Sequence, residues 1–222
     1  MSLEAVLRNG HHLELGEFAL VGEYGIPALQ PTHLNETLPW ISFNRTLTFP
    51  AASRERYGVN FFLDDYVFER VWRDPTRYAP FLSEFAAVMA PDFSMFTDWP
   101  MAVQIYNHWR KHQLAAFWQS QGLTVIPTIC WSDERSLDWC FDGEPFGGTV
   151  AVSSVGTQKN PAAREHFRMG YEAMMERLEP DKIIFFGTVP DWCTGNIEQN
   201  TAYYASLPHA QKKTGLSEKE VI

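Results

Sequence analysis

Cysteine is scarce in this chain, with three in 222 residues. Cys130, Cys140 and Cys193 are widely spaced and form no Cys-x-x-Cys pair, which argues against a disulfide framework or a zinc ribbon and fits reduced intracellular thiols. Positive charge is also short: 18 Lys and Arg stand against 27 Asp and Glu, a net charge of -9. Duplex nucleic acid is gripped by neutralising its phosphates, so strong direct binding to it is not expected, and a protein partner or small molecule fits better. The densest basic stretch, Arg110-Lys111 between His108 and His112, reads as a local patch on a solvated helix face. No apolar run reaches the roughly 18 residues of a membrane span. Residues Met1 to Leu20 carry Arg8, His11, Glu14 and Glu17 where a signal peptide would be apolar, so a soluble, cytoplasmic protein is expected. Gly147-Gly148 precedes a strand and Gly156 stands alone, leaving no phosphate-cradling loop or dinucleotide fingerprint. No cofactor is implied, and no internal repeat is visible.

What is present is enough apolar material for one sizeable core, 45% hydrophobic and 14% aromatic. Between Gly58 and Gly187 short apolar runs alternate with longer amphipathic stretches, the mark of β-α-β units. The runs are Val59 to Leu63, Phe93 to Phe96, Leu123 to Ile129, Thr149 to Val155 and Ile183 to Phe186. Asp74-Pro75, Asp98-Trp99-Pro100 and Asn160-Pro161 read as helix starts. Apolar residues from Tyr78 to Met89, from Ile105 to Ala116 and from Ala163 to Leu178 repeat at helical spacing, and Gly122 sits at a C-terminal cap. The fold class is α/β, a single domain of strand-helix units with a mostly parallel sheet, either a partial barrel or doubly wound. Residues 1–57 form a lead-in with a strand at Ile26 to Leu29, 58–187 the α/β core, and 188–222 a polar extension ending in a short helix over Leu216 to Ile222.

Ligands in parallel α/β folds bind where the strand-following loops gather. Asp64, Asp65, Asp98 and Asp133 follow the first three proposed strands, where carboxylates can hold a divalent metal or serve as acid and base, or can simply cap helices. His108 and His112 share a helix face, but without a glutamate beside the first histidine they do not make the zinc-protease pattern. Ser153, Ser154 and Cys130 end strands with no base nearby in sequence. Trp99 and Trp131 follow strands and are placed to stack on a ligand or anchor a partner.

Three segments, Tyr57 to Tyr66 (YGVNFFLDDY), Ala90 to Pro100 (APDFSMFTDWP) and Val125 to Asp133 (VIPTICWSD), with Phe141-Asp142-Gly143 and Val150 to Gly156, resemble a phage- and plasmid-borne family known only as a domain of unknown function. The likeness covers roughly Tyr57 to Gly187 and fades beyond it. It implies an α/β fold and a mobile-element origin, and brings no catalytic residues with it. Recombination directionality factors of certain actinobacterial temperate phages look like this family. That resemblance implies a non-enzymatic protein that binds a large serine integrase on attachment-site DNA and favours excision. The alternative is an α/β enzyme acting on nucleotides or nucleic acid through Asp64, Asp65, Asp98 and Asp133. A third reading is a phage protein acting on host replication or defence machinery.

Overall fold

The structure, a computed structural model, describes residues 10–200; the expected terminal helix over Leu216 to Ile222 lies outside them. Strands β1 (Leu20–Val21) and β2 (Ile26–Pro27) form an antiparallel hairpin. Strands β3 (Trp40–Ser42), β4 (Gly58–Asn60), β5 (Ala87–Met89) and β6 (Val125–Ile126) make a parallel sheet in that order. A second parallel sheet contains β7 (Thr149–Ser153), β8 (Lys182–Phe186) and β9 (Ile197–Asn200). A single bridge, Thr128 beside Ala151, joins the two, with Ala151 N–H donating to Pro127 O and Ile129 N–H to Ala151 O, both at 2.8 Å.

The parallel strands therefore follow one another in chain order from β3 to β9, without the reversal of a doubly wound sheet. The array curls but does not close into a barrel. Its outer edges meet through side chains: Thr37 Oγ1 donates to Glu198 Oε2 at 3.0 Å, and Lys182 Nζ reaches Glu198 at 2.6 Å and Glu36 O at 3.2 Å. Successive strand residues point to opposite faces, and that period of two sorts the core. Ala87, Met89, Ile126, Ala151, Ile184 and Phe186 meet Trp40 in an inner cluster built from both sheets. Val88, Val150, Val152, Ile183 and Phe185 face outward onto helices.

Those helices are α1 (Asp65–Arg73), α2 (Pro75–Leu82), α3 (Met101–Ser120) and α4 (Pro161–Leu178). Asp74 caps α2 by accepting from Arg77 N, and Asn160 caps α4 by accepting from Ala163 N, each with proline in the first turn. Helix α3 ends as expected: Gly122, at φ 83°, donates to Gln119 O while Leu123 donates to Trp118 O, the paired bonds of a Schellman motif.

Two expectations need correcting. The apolar run Phe93 to Phe96 is not a strand; β5 lies earlier, at Ala87–Met89, where helical spacing had suggested a continuing helix. A short apolar run fits either period, and here Ala86 N–H is drawn onto Tyr57 O while Pro91 supplies no donor to prolong the ladder. The second correction concerns α3, expected to expose its histidines and basic residues. His108, Arg110, Lys111 and His112 are all buried.

Phe61 follows β4 and stacks between Phe43 and Trp118, with centroids at 4.9 and 5.8 Å, and meets Phe68 edge-on. Phe61→Ala is expected to lower unfolding free energy by about 3–5 kcal/mol in urea titration; a loss below about 1 kcal/mol would show that this aromatic stack does not hold the outer core.

Candidate functional site

Loops following β4 to β7 enclose a groove of about 490 Å³, closed on one side by the first turns of α4. Phe62, Met95, Phe96, Trp131, Val155 and Phe167 give it apolar walls, and Asp92, Cys130, Ser153, Asn160 and His166 contribute its polar groups. Trp131 lies over Gly170 and Phe167, fixed by an Nε1–H bond to His166 O at 3.0 Å. Phe96 and Val155 stand at the mouth, 56% and 52% exposed.

Asp92 is the groove's notable titratable group. Burial raises its carboxyl to about 7, partly opposed by the positive charge of Lys111. It hydrogen-bonds the Cys130 thiol, which burial pushes up to about 12, so that at neutral pH this sulfur is not a thiolate nucleophile. Behind Cys130 lies a polar interior contributed by α3. Lys111 Nζ donates to Thr128 O at 2.8 Å and to Glu144 Oε1 at 2.6 Å, with Cys130 Sγ at 4.0 Å. Burial would lower the lysine's pKa and raise the glutamate's, but their mutual attraction and the hydrogen bond between them outweigh it and both stay charged.

The histidines have fixed surroundings. His112 Nδ1 faces Pro27 O at 2.8 Å and His108 Nε2 faces Asp142 O at 2.9 Å. A carbonyl only accepts, so each of these nitrogens carries hydrogen. His112 Nε2 then faces Glu144 Oε1 at 3.0 Å, and His108 Nδ1 is buried without a partner. Burial first, and then the positive charge of Lys111, hold His108 well below its ordinary pKa and keep it neutral. One ligand atom from each of His108, His112 and Glu144 lies within 4.8 Å of the others.

The four aspartates singled out in the sequence do not converge on the groove. Asp64 is exposed before α1 and makes no side-chain cap there. Asp65 accepts from Ser94 N and Oγ at 3.1 and 2.8 Å and lies 3.7 Å from Arg110. Asp98 is exposed; the residue before α3 is Pro100, and no side chain caps that helix. Asp133 caps a short 3-10 turn (Glu134–Ser136) and pairs with Arg135 at 2.6 Å. Trp99 packs edge-on to Phe96 at the groove's rim, and Trp131 forms its wall. Ser153 and Cys130 line the groove, whereas Ser154 turns away to donate to Thr188 O. Asp92 and Glu144 escaped notice as site residues; the misplaced strand hid Asp92, whose signal is its position just after β5.

A family model described as a domain of unknown function, DUF4417, matches residues 18–203. The chain belongs to this family. This DUF4417 protein is also similar to the "Gene 1 protein" of Mycobacterium phage L5, 37% identical over 164 residues, covering 74% of this chain and 71% of the relative. The "Gene 1 protein" of Mycobacterium phage D29 is 38% identical over 165 residues, covering 74% of this chain and 60% of the relative. No solved structure matches. The DUF4417 region thus contains the groove and the polar interior behind it, and among the described residues no helix is long and apolar enough to cross a membrane.

Raising a carboxyl above its unfolded pKa means that the folded state binds the extra proton. Asp92 therefore stabilises the fold most below about pH 4, and its contribution falls as pH rises toward 7. Asp92→Asn is expected to remove that dependence, so that its Tm gains on wild type between pH 5 and 8 in thermal melts; parallel Tm curves would place the Asp92 carboxyl in water.

Proposed function

We propose that this phage-family protein is a recombination directionality factor, a non-enzymatic protein that binds a large serine integrase on its attachment-site DNA, in the host cytoplasm, and favours excision. The observation that carries this reading is the groove, whose apolar walls and exposed Phe96 and Val155 suit a partner's side chains while the four aspartates lie outside it. Exposed apolar and aromatic residues around a concave centre are what interface hot spots are made of. Net charge agrees, since at -9 the protein reaches DNA through the integrase. Preferential binding to one arrangement of the integrase's mobile parts is sufficient to shift its direction.

One observation favours a second reading, an enzyme acting on nucleotides or nucleic acid: Asp92, held near 7, has the pKa of a general acid or base in a groove. It replaces the carboxylate cluster with a single carboxyl. Excision by a large serine integrase, with and without this protein, separates the two. Phe96→Glu with Val155→Asp is expected to weaken integrase binding by about tenfold or more and to abolish stimulated excision, while Asp64→Asn and Asp92→Asn retain it. Stimulation lost in Asp92→Asn, with integrase binding and fold intact, would overturn the non-enzymatic reading.

A further inference from the structure

We propose that His108, His112 and Glu144 form a buried site for a divalent transition metal of zinc's class. Two histidines four apart on α3 share one face, and Glu144 comes to them from the loop before β7, a pairing that no local sequence pattern announces. Each ring's other nitrogen donates to a main-chain carbonyl, Asp142 O for His108 and Pro27 O for His112. This is the outer support that metal-bound imidazoles use, and it leaves a lone pair on His108 Nδ1 and one on His112 Nε2, the latter facing the carboxylate.

The second observation is the set of acceptors left over. His108 Nδ1 and Glu144 Oε2 are buried and make no hydrogen bond. His112 Nε2 faces a carboxylate oxygen that cannot donate. One cation answers all three. A proton on His112 would answer only its own contact with Glu144. Glu144 can serve both neighbours, since Oε1 holds Lys111 and Oε2 is left for the ion. Tetrahedral zinc with bonds near 2.0–2.1 Å needs ligand atoms about 3.3–3.4 Å apart, so the present spread of up to 4.8 Å would contract by about 1.5 Å on binding the ion.

Gly143 makes the approach possible. At φ 79° a Cβ there would lie 2.6 Å from Pro27 O and 2.7 Å from His112 Nδ1, so only glycine lets the loop press Glu144 against this histidine. Two nitrogens and one oxygen suit zinc or cobalt better than magnesium or calcium, which prefer all-oxygen shells. The ion would join β2, α3 and the loop before β7 into one unit beneath the groove. It rests on none of the functional readings above.

The full chain, loaded with Zn2+ or Co2+ and desalted, tests this by metal content and spectroscopy. Wild type should retain one ion per chain, with the visible bands of low-coordinate Co2+ and two hyperfine-shifted exchangeable imidazole N–H signals, one from each histidine. His108→Leu should weaken binding by about a hundredfold or more, and His108→Gln should do so with less disturbance to packing. Should both variants unfold, the two wild-type N–H signals still decide. Wild type that retains no ion, an ion held equally by folded His108→Leu, or Co2+ without two shifted N–H signals would overturn the proposal in favour of a protonated His112 paired with Glu144.

Discussion

Lys111 and Glu144 meet at 2.6 Å with side chains 1% and 0% exposed. Removing two charges from water is costly, and attraction offsets the cost only when the remaining donors and acceptors are also satisfied. Here the lysine also holds Thr128 O, at the junction of the two sheets, and His112 approaches the same glutamate oxygen. The pair thereby fixes three things together: the middle of α3, the end of β6, and the loop that leads to β7. Breaking it leaves an uncompensated charge in the centre of the molecule, so the relative placement of those elements depends on it.

The groove inherits its character from this arrangement. The α3 charges that lie closest to it are consumed internally, Lys111 by Glu144 and Arg110 by Glu69 at 3.0 Å. What reaches the groove is an apolar wall with one adjustable carboxyl, Asp92, set near 7 by burial against the pull of Lys111. An apolar surface of this kind is the sort that side chains of a protein partner pack against, and a shift of charge inside it alters stability.

Much of the fold was legible because strand alternation and helix starts are local signals. Val150 and Val152 alternate with Ala151, and Asn160-Pro161 opens α4 by an interaction spanning three residues. β9, at Ile197–Asn200, was not legible, because Glu198 and Gln199 give no apolar period and the strand is defined by its pairing with β8. Helix α3 misled for a related reason. His108, Arg110, Lys111 and His112 read as a solvated face, since residue type describes an average preference, and the carboxylates that make their burial affordable come from Glu69 and Glu144, 41 and 33 positions from their partners. Of the aspartates conspicuous in sequence, Asp133 found local work with Arg135, Asp65 was drawn to Ser94 29 positions away, and Asp64 and Asp98 stayed exposed.

A double-mutant cycle on Lys111→Met and Glu144→Gln, followed by denaturant unfolding in the presence of a chelator, tests most directly whether this pair holds the structure together. Each single change is expected to cost about 3–5 kcal/mol, and the double change to cost less than their sum by about 1–3 kcal/mol. Additive losses, or single losses below about 1 kcal/mol, would contradict the account and show that α3 and the groove are held by apolar packing alone.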